Sequence, residues 1–398
     1  MFDKLIQILL ISIIVHYVVF KKQETAKNFD LKLTNTTTLN ETGNLFHANG
    51  TLVEAGWSFR NAKEVNIKDA PGALLGIKPL NFLRYKKYEY YSISTENEII
   101  SAYVIDAGLQ SLLFFKYYNL HEKQGKVFAN SYWTLPGSKK EHVRIPDTPK
   151  FDPEFKVEYK NEDWSFTTTD AENGDRTLLV KTALGDLKLN IKSSDFAERD
   201  AMIDVLPMQD GNQTWFYNQK WYNFQASAKL RLEGESETRD LGDQIRVVYD
   251  VARGMWNFHN DFVWVSGTLK TETKDYGFTL QRGLSTAASR KSQPDYFFRG
   301  KEGTQLHPVL FSFDKLNWNN SMNFKTQDEE LLKEEAPGTC NIVFAPVGSQ
   351  HEEADLKVIR NSIRHVYGYF SGWVVDKNGV KHDVEGATGI FEDFYAKF

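Results

Sequence analysis

The chain reads as an all-β protein, and three features predict this: short apolar–polar alternations, turn signals between them, and few helix-forming runs. Leu187, Leu189 and Ile191 alternate with Lys188, Asn190 and Lys192 directly after Gly185-Asp186. Successive side chains of a strand point to opposite faces, so a period of two buries one face and wets the other. Leu230 and Leu232 repeat the pattern among Lys229, Arg231 and Glu233. Asn378-Gly379 lies between the apolar runs 372–375 and 380–384, and this dipeptide readily takes the positive φ angles of a tight hairpin. Further strands are expected at 99–105, 112–118, 245–249 and 342–344. Helix is confined to 326–336, which Pro337 stops, and to a second short run at 193–201.

Strands and helices do not alternate, which excludes a parallel α/β sheet. At 398 residues the chain is longer than a single core usually fills, so two domains are expected. They are two successive antiparallel barrels or sheets at 51–200 and 201–398, with the boundary where the strand pattern breaks, near 193–207. Ahead of them, 24–50 is polar and Thr/Asn-rich and reads as a tether. Residues 1–23 read as a membrane anchor, because 5–20 is apolar apart from Gln7, Ser12, His16 and Tyr17 and is closed by Lys21-Lys22. No small-residue cleavage site follows it, so the expectation is an uncleaved transmembrane helix rather than a signal peptide. Intact mass of the mature chain checks this, since loss of these residues would show a removed leader.

The net charge is -5, with 48 Lys+Arg interspersed among 53 Asp+Glu. Without a basic stripe, nucleic acid is not an expected partner. Cys340 is the only cysteine, which excludes an intrachain disulfide and a cysteine-based zinc site. His307, His351, His365 and His382 show no ligand spacing, so no metal and no cofactor are expected.

The densest aromatic stretch is 250–267. Trp256, Phe258 and Trp264 could line an apolar pocket, with Arg253 and Asp250 as placed polar groups. His259 and Asp261 are the acid–base candidates there. In an unbroken strand, however, Trp256, Phe258 and Trp264 share one face, and His259 and Asp261 share the other. That separation argues against catalysis, so no residue is assigned a catalytic role. The run 84–91 alternates basic and aromatic residues and reads as a strand with one aromatic face. Glu392-Asp393 reads as the exposed end of the last strand.

Several segments together resemble the DUF2804 domain family. They are Gly56-Trp57-Ser58, the aromatic strand 86–91, Arg253-Gly254-Met255-Trp256, Trp264-Val265-Ser266-Gly267, and the run 277–283. Tyr367-Gly368-Tyr369-Phe370-Ser371-Gly372 and Gly389-Ile390-Phe391-Glu392-Asp393 complete the set. They run in order over 56–398. Two departures stand out: Gln293-Pro294-Asp295-Tyr296 replaces a Thr-Glu-Asn-like stretch, and His365-Val366 stands where a Gln is usual. The family is similar in style to tandem lipocalin-like proteins, which include a carotenoid hydratase branch, and this implies two calycin-type barrels and an apolar ligand.

The resulting expectation is a non-catalytic, membrane-anchored β-barrel protein that binds an apolar small molecule or acts as a scaffold. Its partners would be the lipid bilayer through 5–20 and other subunits of a membrane complex, in the mitochondrial inner membrane or the secretory pathway. Two alternatives stand beside it. One is an accessory subunit of a larger membrane complex, such as a respiratory assembly. The other is a hydratase- or isomerase-like enzyme acting on a lipid-like substrate, with Asp250, His259 and Asp261 handling protons.

Overall fold

The computed structural model describes residues 38–72, 81, 84–134, 142–192, 196, 198–208, 211–257, 259–283, 295–355 and 360–397. The fold is all-β, with strands gathered into three large sheets. An eight-stranded sheet runs, in spatial order, through Gly56–Ser58, Met202–Met208, Gly211–Trp221, Arg246–Met255, Tyr85–Ser94, Glu98–Asp106, Gln110–Asn119 and Gln124–Trp133. A seven-stranded sheet includes the two alternating segments, Gly185–Ile191 and Ala226–Leu232, as neighbours. Leu187, Leu189, Ile191, Leu230 and Leu232 all point inward. Tyr91, Tyr249 and Trp215 of the eight-stranded sheet meet Phe166, Leu178 and Leu189 of the seven-stranded one in a single core.

The third sheet has ten strands, with Asp275–Arg282, His259–Lys270, Ala387–Lys397 and Arg360–Val375 adjacent in that order. Its two edge strands, Glu302–Leu306 and Val309–Ser312, are consecutive in the chain. Leu306 and Val309 are three residues apart, and three extended steps span only about 10 Å. The sheet therefore curls until its edges nearly meet, forming a nearly closed barrel around Phe278, Phe324, Phe344, Phe370 and Phe391. Gly267, Gly389 and Gly368 stand opposite one another on three adjacent strands of this barrel. A Cβ on Gly267 would lie 2.2 Å from the Phe278 ring, so the aromatic core requires glycine there. Asn378-Gly379 forms the expected turn: Gly379 has φ 78°, and Val375 pairs with Lys381.

Three expectations change. The polar stretch 38–50 is part of the fold, because its apolar residues Leu39, Leu45 and Phe46 are buried and Phe46 packs edge-on to Trp215 at 5.1 Å. Strands between 202 and 255 belong to the first two sheets, so the change of sheet falls between Met255 and His259. Helix in the 326–336 region shrinks to Glu329–Lys333, capped by Asp328. The anticipated anchor at 5–20 lies outside the described residues, and among these no helix is long and apolar enough to cross a membrane.

The strand Arg246–Met255 is buried at every position, one face toward the first core and the other toward the barrel. Its charges must therefore find partners inside the protein. Toward the first core, Arg253 Nη2 donates to Glu89 Oε1 at 2.7 Å, and both side chains are fully buried. The same guanidinium donates to the carbonyls of Pro146, Asp147, Tyr88 and Ala252, while Tyr249 Oη donates to Glu89 Oε2. Truncating one partner strands the other charge. Arg253→Ala should cost about 3–5 kcal/mol in urea denaturation, and the pair Glu89→Gln/Arg253→Met should recover part of that loss.

Candidate active site

A cavity open to solvent lies between the eight-stranded sheet and the outer face of the barrel. Two transverse rows of directly opposed residues build it. On the eight-stranded sheet, Lys220 stands opposite Asp250, Asp250 opposite Tyr90, Tyr90 opposite Tyr103, and Tyr103 opposite Phe114. On the barrel, Gln281 stands opposite Trp264, Trp264 opposite Glu392, and Glu392 opposite His365. Each row joins strands far apart in sequence. Phe216, Trp256, Phe262 and Phe394 line the rest of the cavity, with Phe262 stacked on Phe394 at 4.5 Å.

Two ionisable clusters face this aromatic space. In the first, Lys220 Nζ lies 3.1 Å from Asp250 Oδ2 and 4.3 Å above the Trp264 ring. Asp250 Oδ1 accepts from Asn218 Nδ2 at 2.7 Å and from Tyr88 Oη at 3.1 Å. Burial pushes the Asp250 carboxyl above its ordinary value, although Lys220 and these donors oppose the rise.

In the second cluster, His365 Nε2 is 2.7 Å from Glu392 Oε2, and His365 Nδ1 is 3.0 Å from Lys116 Nζ. An ammonium can only donate, so Nδ1 accepts and the imidazole carries its proton on Nε2, which donates to Glu392. Burial lowers the His365 pKa and the Lys116 charge lowers it further, against the opposing pull of Glu392. Burial alone would raise Glu392, but the His365 hydrogen bond and the charges of Lys116 and Lys220 outweigh it and its pKa falls. Lys116 is held in turn by Glu352. Asp250 and Glu392 are thus two carboxyls facing one cavity with pKa values moved in opposite directions.

The segment 250–267 is two strands in two different sheets, joined through 256–258, rather than one unbroken strand. That crossing is what brings Asp250, Trp256 and Trp264 to the same cavity. Arg253 is turned to the opposite face, into the ion pair with Glu89, three residues from Asp250 and therefore on the other side of the strand. His259 and Asp261 are exposed and do not line the cavity, and Phe258 lies outside the described residues. Glu392 is not an exposed strand end: it faces the cavity, while its neighbour Asp393 pairs with Lys315. Lys220 and Gln281 carry no local signal in the sequence, and Glu392 is expected there only as an exposed strand end. For His365 a signal existed, the departure from the family's usual Gln. The run 84–91 carries aromatics on both faces, Tyr88 and Tyr90 toward the cavity and Tyr85 and Tyr91 toward the first core.

These features define a β-structured protein with an aromatic cavity into which paired ionisable groups face. The family model described as a domain of unknown function, DUF2804, matches residues 36–398, and the chain belongs to that family. No curated protein matches the chain. Among solved structures, it is similar to kievitone hydratase from Nectria haematococca at 8% identity and TM-score 0.45, over 78% of this chain and 88% of that one. CghA, solved with Sch210972, matches at 10% identity and TM-score 0.47, over 90% and 98%. A candidate AttH protein from Nitrosomonas europaea matches at 10% identity and TM-score 0.46, over 79% and 93%. The expectation of a scaffold without an evident catalytic site is corrected: Asp250, Lys220, His365 and Glu392 converge on one cavity.

A pH-dependent stability follows from His365. Its folded pKa lies below the ordinary 6.5. The unfolded chain therefore binds the extra proton first, and the stabilisation is complete above 6.5 and lost as pH falls below it. In His365→Gln, denaturation at about pH 7.5 and about pH 5.5 should show a smaller acid loss than wild type. The lowered Glu392 pKa acts only below its ordinary 4.5, outside that window. An equal acid loss in both proteins would contradict the assignment.

Proposed function

We propose that the chain is an enzyme of the hydratase or isomerase type, acting on a largely apolar substrate held between the eight-stranded sheet and the barrel. The observation that carries this reading is the placement of Asp250 and Glu392 on facing rows with their pKa values moved in opposite directions. Two carboxyls poised in that way divide the work of acid and base. Asp250 is the proton donor: Lys220, paired with it at 3.1 Å, passes it the proton that it delivers, and Tyr88 and Asn218 hold the carboxyl in place. Glu392 is the base: one oxygen is fixed by His365, which leaves the other to take a proton from water.

In hydration, Glu392 accepts a proton from water, the water oxygen bonds to one carbon of a double bond, and Asp250 delivers a proton to the other. Solvent exchange then resets both carboxyls, for a net gain of one water. Moving a double bond uses the same groups without the water. The aromatic walls hold the apolar substrate and limit bulk solvent. The finer description of the fold as two tandem lipocalin-like barrels belongs to the same proposal, the first barrel formed by the two facing sheets and the second by the ten-stranded one.

Purified protein incubated in deuterium oxide with a panel of aromatic and terpenoid enones and their hydrated counterparts should incorporate deuterium into at least one member, read by mass spectrometry. Asp250→Asn and Glu392→Gln should each slow this by about 10²–10⁴-fold, and His259→Ala should leave it unchanged. Exchange that persists at the wild-type rate in both carboxyl variants, or that occurs with no member of the panel, would refute the proposal.

A further inference from the structure

Every second side chain of a strand points to the same face, so the two rows of the site are flanked by parallel rows about 7 Å away on either side. On one side the flanking rows are apolar. Tyr88 stands opposite Ile105 on the eight-stranded sheet, and Phe262 opposite Phe394 and Phe394 opposite Ile363 on the barrel. All five line the cavity, and Tyr88, Ile105 and Phe262 are partly exposed, as is Trp256 beyond them. On the other side the two sheets touch. Tyr222 Oη lies 2.9 Å from Ser266 Oγ, and Tyr118 stacks on Tyr367 at 4.3 Å. Ser92, Ser101, Ser266, Ile390 and Tyr367 of these rows are buried, and none of them lines the cavity. The cavity is therefore closed at one end, with its ionisable groups at the bottom and an apolar collar at the mouth. At the bottom, Glu392 keeps 15% of its side chain accessible.

We infer that the cavity takes an elongated, amphiphilic ligand end-on, its oxygenated or unsaturated head at the level of Asp250 and Glu392 and its apolar tail running out through the collar. The substrate class is thus a long apolar chain whose reactive double bond, or the hydroxyl that hydration leaves, lies near one terminus. The opposite orientation is unfavourable at both ends. A polar head among Phe262, Ile363 and Phe394 would lose its water with no partner in return, and a tail at the bottom would strip water from the Glu392 carboxylate. Because the mouth opens to solvent, the length of the tail is not limited. This deepens the preceding reading, since it rests on the cavity being the substrate site. It concerns which end of the ligand lies where and not turnover, so the two fail in different experiments.

Binding of straight-chain primary alcohols from hexanol to tetradecanol, read by calorimetry, tests the shape in the wild-type protein. Each methylene that enters the collar should tighten binding about fourfold, and the affinity should then level off as the tail passes the mouth. Orientation is read from the quenching of tryptophan fluorescence by a bromine atom in contact with the ring. At saturation, quenching by 2-bromooctan-1-ol should fall in Trp264→Phe and persist in Trp256→Phe, and 8-bromooctan-1-ol should show the converse. His259→Ala, outside the cavity, should leave both signals as in wild type. The length series stands as a test even if a tryptophan variant does not fold. An affinity that drops beyond a limiting length, a failure of every alcohol to bind, or bromine signals that are equal or exchanged between the two tryptophans would overturn the inference.

Discussion

The rest of the structure depends on one constraint: the middle of the eight-stranded sheet is covered on both faces. One face packs on the seven-stranded sheet and the other on the barrel, and the strand Arg246–Met255 is buried throughout. A strand in that position cannot send charged side chains to water, so its charges find partners inside the protein. On the inner face the solution is Glu89–Arg253, with all its hydrogen bonds made by the protein. On the outer face it is Lys220–Asp250, which borders a cavity. The two pairs share a strand and a burial problem, and they differ in what lies beyond them.

That difference separates the structural pair from the chemical one. Arg253 is occupied by a carboxylate and four backbone carbonyls, and nothing further can approach it. Asp250 sits under an aromatic wall facing Glu392, whose partner His365 is neutral because burial and Lys116 both disfavour a second charge. Low polarity around both carboxyls makes their immediate neighbours decisive. The lysine beside Asp250 does not fully offset its burial, whereas the donors around Glu392 more than do.

Strands with one wet face were legible in the sequence, because alternation is the direct imprint of a half-buried surface. Gly185–Ile191 and Ala226–Leu232 are of this kind. The turn at Asn378-Gly379 was legible for a local reason, its positive φ. What could not be read was register. Gln281, Trp264, Glu392 and His365 form one row only because four strands align at those positions, and no local pattern announces that alignment. The aromatic density of 250–267 marks the stretch as unusual, but nothing local shows that it is two strands rather than one. Its passage from one sheet to another placed Asp250 and Trp264 together and left His259 and Asp261 outside. Apolar residues embedded in a polar run, Leu39, Leu45 and Phe46, were discounted for want of a period, although they cover one end of the first core.

The two cavity carboxyls are shifted in opposite directions by their surroundings, and their ionisation can be followed directly. Isotope-edited NMR of protein carrying labelled Asp and Glu carboxyl carbons, assigned with Asp250→Asn and Glu392→Gln, would give both titrations in one experiment. Asp250 should titrate above the ordinary 3.8 and Glu392 below the ordinary 4.5. Both carboxyls titrating at their ordinary values, or Glu392 rising while Asp250 falls, would contradict it.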